Sequence, residues 1–346
     1  MSVDAVVQRL WYGPAWRTLP LWPLAWLFRA AVAVRGALYR RGLAPSYHAG
    51  VPVVVVGNLT VGGAGKTPIA AWLARQLELR GRRVGVVLRG YGGRHRGRLR
   101  VVRAGDAAAE VGDEALLHVA RGPHVVVIGA DRVGAARLAE DEGAEVIVCD
   151  DGLQHLRLAR DCEIVVVDAG RGLGNGWMLP AGPMREPLTR IERAHAVVMT
   201  ARGEGHSAEI GIRGPRVVQA RFALGEAVNL VSGERRRLSG FCGSTVHAVA
   251  GVGHPRAFFA GLEAAGLDVV GHALPDHATL DPAALLFPSG ATVLMTEKDA
   301  VKCRQYAEPG WWYVELEVDI DRAGSAALLG TVLERTGLTG AGVNLG

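Results

Sequence analysis

Lysine is scarce in this sequence. Of the 39 lysine and arginine residues in the 346-residue chain, three are lysines, at positions 66, 298 and 302, which leaves 36 arginines. Arginine is therefore the default cation of the protein. A lysine inside a recognisable motif is less readily explained here as a chance surface charge.

Cysteine is scarce as well, and none of the four cysteines forms a C-x-x-C pair. This spacing argues against a disulfide framework and a zinc site, and it predicts a reduced, cytosolic protein. No internal repeat or low-complexity tract is visible. Because 49% of the residues are hydrophobic, extensive disorder is excluded, and the length predicts two domains with a core in each.

Most of the chain has no excess of charge. The net charge of +5 lies in residues 1–50, which contain six arginines and one acidic residue, Asp4 (6 − 1 = +5). The remaining residues hold 33 basic and 33 acidic side chains. A broad surface for nucleic acid is therefore not indicated. Separately, no obligate protein partner is evident from the sequence.

The N-terminal segment lacks an uninterrupted apolar run of the roughly 18 residues that a bilayer-spanning helix needs. Its apolar stretch, residues 19–28, contains two prolines and ends at Arg29. Ala31-Val32-Ala33 resembles a signal-peptidase site, but the prolines and the motif that follows argue against export. Four of the eight tryptophans lie here, and tryptophan with arginine predicts a helical arm in the membrane interface. The alternative is an apolar helix packed on the protein's own core.

A strand, a glycine loop and a helix follow this arm. The run Val53–Val56 predicts a buried parallel strand, and residues 70–79 have helical spacing. Between them, a P-loop would bind nucleotide phosphates through its amides and lysine, while its threonine holds Mg²⁺. A glycine-rich turn without a ligand is the alternative, because a threonine occupies the first glycine position. The predicted ATP-binding residues are Thr60, Val61, Gly62, Gly63, Ala64, Gly65, Lys66 and Thr67.

Two acidic pairs follow further along the chain. Asp150 and Asp151 end an apolar strand, the position at which P-loop enzymes place a magnesium-binding aspartate. Asp113 and Glu114 begin a predicted helix. Each pair also has a structural interpretation, as a turn signal and as a helix cap respectively.

Strands alternate with helices from residue 51 to about 200, which predicts a doubly wound, mostly parallel α/β sheet with its site at the carboxyl ends of the strands. A long Gly/Pro-rich loop at 171–187 interrupts this series and is expected to be functional. Short strands at 217–224 and 227–230 begin a smaller α/β region. The predicted division is an arm at 1–45, a P-loop core at 46–210 and a C-terminal domain at 211–346.

A set of motifs, in order, resembles one family. The chain from about residue 10 to 335 resembles tetraacyldisaccharide 4'-kinase, the lipid A 4'-kinase of Gram-negative bacteria, in which a threonine at the first P-loop position is usual. The motifs are VGNLTVGGAGKTP (56–68), RGYGG (89–93), GDE (112–114), DDGLQH (150–155), LPAGPMREP (179–187), GVGHP (251–255), DH (276–277) and TEKDAVK (296–302).

This resemblance implies transfer of the γ-phosphoryl group of ATP to the 4'-hydroxyl of tetraacyldisaccharide 1-phosphate, giving lipid IVA, on the cytoplasmic face of the inner membrane. Its cofactors would be ATP and Mg²⁺. Asp113 would be the base, with His277 beside it and Lys66 on the phosphates. The implied metal residues are Thr67, Asp150, Asp151 and Glu114. The implied substrate residues are Arg89, Tyr91, His155, Arg185 and Glu186.

The sequence leaves two other functions open. One is a P-loop kinase that phosphorylates a soluble sugar or nucleoside. The other is a membrane-binding protein switched by ATP hydrolysis, without an acceptor.

Overall fold

A computed structural model describes residues 3–94, 97–202, 216–275, 287–288 and 290–338, with side chains from residue 6 onward. The helices are α1 (Val3–Trp11), α2 (Trp22–Arg40), α3 (Lys66–Glu78), α4 (Ala108–Val111), α5 (Asp113–Arg121), α6 (Arg132–Asp141), α7 (Pro255–Ala264), α8 (Glu297–Cys303) and α9 (Arg322–Thr336). The strands are β1 (Val53–Gly57), β2 (Val84–Leu88), β3 (Arg100–Val102), β4 (Val125–Ile128), β5 (Val146–Asp150), β6 (Cys162–Asp168), β7 (Ala196–Arg202), β8 (Arg216–Asn229), β9 (Arg235–Arg236), β10 (Thr245–Ala250), β11 (Asp268–Ala273), β12 (Val293–Thr296) and β13 (Trp311–Asp319).

All thirteen strands belong to one twisted sheet, in the order β11-β10-β12-β13-β8-β7-β6-β1-β5-β2-β4-β3, with β9 paired to β8. The pairing is parallel from β8 to β4 and from β11 to β13. It is antiparallel where β13 meets β8, where β9 meets β8 and at the β3 edge. The predicted mostly parallel α/β sheet is therefore correct.

Strand β8 joins the two halves of the sheet. Its first residues pair with β7, and residues 221–229 pair with β13. The prediction of two short strands in this segment was wrong. Gly225 and Glu226 weaken the strand pattern, but the ladder with β13 continues past them through a β-bulge, in which these two residues lie opposite Glu315 of β13. The sheet runs from one half to the other without a break, and the two-domain division stays a prediction.

Apolar side chains cover both faces of the central strands, as their valine-rich sequences require. Helices α3, α5 and α9 cover one face, and α6 covers the other. Helix α9 belongs by sequence to the C-terminal part, yet its Leu328 and Val332 pack into the same core cluster as the side chains of β1 and β6. The chain thus ends its described portion on the sheet that carries the P-loop.

The N-terminal arm differs from the prediction in length. Residues 15–40 form 26 consecutive helical residues, a 3₁₀ turn followed by α2, and the segment is long and apolar enough to cross a membrane. Pro20 lies in the 3₁₀ turn and Pro23 in the first turn of α2, where a proline costs no α-helical hydrogen bond. For that reason the prolines do not end the helix.

The arm is not a core helix. In its most apolar window 6% of the residues are buried. Leu24, Leu27 and Val34 are exposed by 56%, 70% and 60%. One edge of α2 is anchored instead: the Trp22 ring stacks on the Trp177 ring of the 171–187 loop with 4.2 Å between centroids. One side of the arm therefore packs on the protein, and its other side is exposed.

Candidate active site

The P-loop connects β1 to α3 and is shaped by glycine. Gly65 precedes the first residue of α3 with φ of +81°, and a β-carbon there would lie 2.4 Å from the Phe222 ring of β8. Both facts require glycine at this position. The Thr200 hydroxyl of β7 donates to the Ala64 carbonyl at 3.0 Å, which holds the loop from the other side. Lys66 and Thr67 then form the first turn of α3, where free backbone amides and the helix dipole favour an anion.

Asn58, directly after β1, is the centre of a polar network. Its Oδ1 accepts hydrogen bonds from Lys66 Nζ at 3.2 Å and from Arg185 Nη2. The same two cations reach Asp151 Oδ1, at 3.5 Å and 3.2 Å respectively. Burial favours the protonated form of Asp151, but the charges of Lys66 and Arg185 outweigh it and lower the pKa of this carboxyl group. The lysine of the P-loop is therefore held in place without a ligand.

The 171–187 loop is hydrogen-bonded to the P-loop. The Val61 amide donates to the Pro183 carbonyl at 2.8 Å, and the Arg185 amide donates to the Leu59 carbonyl at 2.6 Å. Glu186 is buried, and its carboxylate accepts from Gln154 Nε2 at 3.0 Å. This carboxylate also pairs with Arg190 at 3.1 Å. The predicted functional loop thus forms one wall of the phosphate site.

Asp150 ends β5 next to the P-loop and is 2% exposed. Its Oδ2 lies 3.1 Å from Nε2 of His118, which is fully buried on α5. Its Oδ1 is buried and has no hydrogen-bond partner among the residues that the structure describes. A buried carboxylate oxygen without a donor is costly, so this atom is the best candidate in the site for a cation.

Asp113 and Glu114 begin α5 on the same side. Gly112 precedes them with φ of +90°, and a β-carbon there would lie 2.4 Å from the Tyr91 carbonyl oxygen. The RGYGG turn therefore packs directly on the start of α5. Asp113 is 4% exposed, and its Oδ1 accepts from the Glu114 amide at 2.9 Å. Burial, and next the charge of Asp150, raise the pKa of Glu114 to about 7.

Helix α8 brings the two remaining lysines to the same carboxylate. Lys298 Nζ and Lys302 Nζ each lie 3.7 Å from Asp113 Oδ2. The charges of Lys298 and Lys66 both oppose the rise in the Glu114 pKa. All three lysines of the chain therefore surround one acidic cluster.

The predicted substrate residues lie in two places: Arg185 and Glu186 belong to the wall described above, and the other three follow strands β2 and β5. Arg89 and Tyr91 are exposed at the end of β2. His155 follows the turn after β5, and burial together with the charges of Arg132 and Arg89 lowers its pKa to about 4. This imidazole is therefore neutral near pH 7. His277 lies outside the described residues.

The family model for tetraacyldisaccharide-1-P 4'-kinase matches residues 17–334. The chain belongs to this family. The tetraacyldisaccharide 4'-kinase of Pseudomonas paraeruginosa is 46% identical over 319 residues, covering 92% of this chain and 94% of that protein. The protein of the same name from Thiobacillus denitrificans is 46% identical over 330 residues, 94% of this chain and 98% of its own length.

A crystal structure of "apo" form LpxK from Aquifex aeolicus in complex with ATP is similar over 92% of this chain and 99% of that one, with a TM-score of 0.80 and 29% identity. The resemblance based on sequence motifs is thus confirmed, and so is the fold class. Relative to this family assignment, the structure adds side chains that the sequence reasoning did not select: Asn58, His118, Arg190, Lys298 and Lys302.

Signals for three of these additions were present. His118 stands four residues after Glu114, a spacing that places both side chains on one helix face. The two lysines of α8 are as rare as the P-loop lysine. Asn58 stands in the motif at residues 56–68, but nothing local marks its role, and Arg190 gave no signal. The importance of both residues depends on which loops meet after folding.

Glu114 makes stability depend on pH in this kinase. Its pKa is about 7 in the folded protein against 4.5 as a free side chain, so the folded state holds the proton more tightly. Without metal, the stability contributed by the protonated form is lost as pH rises from about 4.5 to about 7, on the order of 3 kcal/mol. Urea unfolding of wild type and Glu114→Gln in EDTA should show the gap between them changing over this range. Parallel pH profiles would show that Glu114 carries no such linkage.

Proposed function

We propose that this chain transfers the γ-phosphoryl group of ATP to the 4'-hydroxyl of tetraacyldisaccharide 1-phosphate and so forms lipid IVA for lipid A biosynthesis. The observation that carries the proposal is the convergence of the P-loop lysine, two acidic pairs and the cations of α8 within a chain of this kinase family. Phosphoryl transfer depends mainly on positioning and on neutralising charge, which this constellation supplies.

The triphosphate would lie on the P-loop amides, with Lys66 on the β- and γ-phosphates. A cavity of about 600 Å³ opens beside the loop, at the carboxyl ends of β6 and β7 and the first turn of α7. Asp168, Arg171 and Arg256 are part of its lining, and the Arg171 guanidinium is 3.2 Å from where a β-carbon of Gly62 would be. Its size suits the nucleoside of ATP, and Arg171 lies both in its lining and beside Gly62 of the P-loop.

Magnesium fits the acidic side of the site. Asp150 Oδ1 is the buried oxygen that lacks a partner among the described residues. Thr67, the second residue of α3, offers a hydroxyl group at the end of the P-loop. Asp151 is already neutralised by Lys66 and Arg185, so we assign the direct contact to Asp150. The described residues contain no group of three His, Cys, Asp or Glu side chains that could hold a metal alone. Mg²⁺ characteristically completes its shell with phosphate oxygens and water, and bound there it would neutralise charge on the phosphates.

Asp113 is the proposed base for the sugar hydroxyl. It is fixed at the helix start and lies on the same side of the site as Asp150 and Glu114. His277 would assist it from the segment outside the described residues. Arg89, Tyr91, His155, Arg185 and Glu186 are proposed to face the disaccharide and its 1-phosphate, since the RGYGG turn packs on the start of α5 and the loop carrying Arg185 forms a wall of the site.

The arm is proposed to place the enzyme on the cytoplasmic face of the inner membrane. A second cavity, of about 320 Å³, lies between α2 and the 171–187 loop, lined in part by Trp26, Trp177 and Met178. Arg35 of α2 donates to the Gln154 carbonyl at 3.0 Å, which links the arm to the turn that follows Asp151. An acylated acceptor could therefore keep its chains in the bilayer while its sugar reaches the site.

Replacing Leu24 and Leu27 together by serine should weaken membrane binding at least about tenfold, because each exposed leucine contributes about 1.5–3 kcal/mol when it leaves water. Co-sedimentation with anionic phospholipid vesicles measures the effect. Val231→Ser is the matched control, since Val231 is 59% exposed and lies in the turn between β8 and β9, outside the arm. Equal partitioning of all three proteins would contradict the proposed membrane face.

The decisive assay incubates purified protein with labelled ATP, Mg²⁺ and defined acceptors. Label in the acylated disaccharide 1-phosphate supports the proposal. Label in a soluble sugar or nucleoside, with none in the lipid, would favour the soluble kinase. ATP hydrolysis without any phosphorylated acceptor would favour the nucleotide-switched membrane protein.

A further inference from the structure

Two of the three lysines in this arginine-rich chain contact one carboxylate oxygen. Lys298 Nζ and Lys302 Nζ lie one helical turn apart on α8 and are both 3.7 Å from Asp113 Oδ2. Lysine offers a compact ammonium group, whereas arginine offers a broad planar fork. Two ammonium groups can share one oxygen where two guanidinium groups would crowd each other, so the choice of lysine here matches the geometry.

Contacts other than those of the two lysines hold helix α8 against α5. Arg121, at the end of α5, forms an ion pair with Glu297 and also donates to the Leu316 carbonyl at 3.1 Å. Asp299 is fully buried and accepts from the Gly251 amide at 2.8 Å and from the Thr296 hydroxyl at 2.6 Å. The C-terminal part of the chain therefore holds α8 rigidly toward the start of α5.

The two lysines differ in their surroundings. Lys302 is 8% exposed and bridges Asp113 to Asp299, whose Oδ1 lies 3.2 Å from its ammonium group. Lys298 is more exposed, at 19%, and its charge also acts on Glu114. Substitution of Lys298 should therefore disturb packing less than substitution of Lys302, while both lysines act on the same oxygen of Asp113.

We propose that Lys298 and Lys302 are positioning residues that orient the Oδ2 oxygen of Asp113. Helix α8, from the C-terminal part of the chain, would thereby set the orientation of the catalytic base. The inference rests on the proposed role of Asp113 as the base. The Glu114 amide donates a hydrogen bond to Oδ1, and the two ammonium groups form ion pairs with Oδ2 at 3.7 Å, so each oxygen has a partner that favours one orientation of the carboxylate. A base must be held in a narrow geometry to remove a proton from the acceptor hydroxyl at the moment of attack.

The test combines single variants with a double-mutant cycle. In Lys298→Met and Lys302→Met, kcat should fall at least tenfold while the KM for ATP stays within twofold. Lys298→Arg should recover part of the loss. In an Asp113→Asn background the same Met substitutions should cause no further loss, because a residue that acts only through Asp113 has nothing left to position. Arg304→Met, just past the end of α8, is the control and should match wild type.

The alternatives give separate results. Methionine variants with kcat within twofold of wild type, beside an inactive Asp113→Asn, would overturn this inference and leave the base in place. A further loss of kcat when the Met substitutions are made in the Asp113→Asn background would also overturn it. So would a lower thermal midpoint of Lys298→Met that accounts for its loss of kcat. An active Asp113→Asn enzyme would overturn the base assignment itself, and the positioning role with it.

Discussion

Replacing Lys66 by methionine should lower kcat by about a hundredfold to a thousandfold without unfolding the protein. The ammonium group is the only P-loop side chain that can place a full positive charge on the transferring phosphates. Removal of one preorganised group that stabilises transition-state charge costs about 2.7–4 kcal/mol. The fold should survive, because Arg185 also contacts Asn58 and Asp151. These contacts would still connect the residue before the P-loop with the residue after β5.

Steady-state kinetics at saturating ATP and acceptor, beside a thermal midpoint, would separate the two effects. Arg75→Met is the matched control, since Arg75 lies on the same helix with a side chain that is 52% exposed, and its partner Glu78, at 3.6 Å, also contacts His124. If Lys66→Met turned over within tenfold of wild type, the phosphate site would have to lie elsewhere.

Much of the phosphate side of the site could be predicted from the sequence. The valine run, the glycine loop and the paired aspartates are local patterns, and parallel strands bring their carboxyl ends to one edge. The predicted start of α3 is four residues late. Helical spacing becomes visible at Ala70, whereas the helix begins at Lys66, directly after the N-cap residue Gly65. Capping, which depends on backbone conformation, decided this boundary rather than hydrophobic periodicity.

The other half of the site could not be predicted in this way. His118 meets Asp150 only because α5 packs over β4 and beside α3, on the face of the sheet that α3 covers. Lys298 meets Asp113 only because α8, which follows β12, packs against α5. These contacts join residues 32 and 185 positions apart (150 − 118 and 298 − 113). Their motifs were recognisable through the family resemblance, but the pairing of side chains depends on tertiary packing that no local pattern encodes.

Substitution of Asp150 should affect the stability of the metal-free protein and the activity of the enzyme in opposite directions. Its carboxylate is almost fully buried, one oxygen is held by His118, and the other has no partner among the described residues. Its charge is also the second cause, after burial, of the raised pKa of Glu114. The metal-free protein therefore retains a buried charge that is only partly compensated, which is costly unless a cation binds.

Asp150→Asn should consequently leave the metal-free protein as stable as wild type, or more stable by about 0.5–2 kcal/mol, while kcat falls by about a hundredfold or more. Urea unfolding in EDTA measures the first effect, and turnover across a Mg²⁺ titration measures the second. Wild type should gain stability from Mg²⁺ with an ATP analogue by mass action, and the variant should gain much less. Asp141→Asn, on the exposed end of α6, controls for the loss of a carboxylate. If Asp150→Asn were less stable without metal and fully active with it, Asp150 would be a structural residue, and the direct metal contact would pass to Asp151 or Glu114.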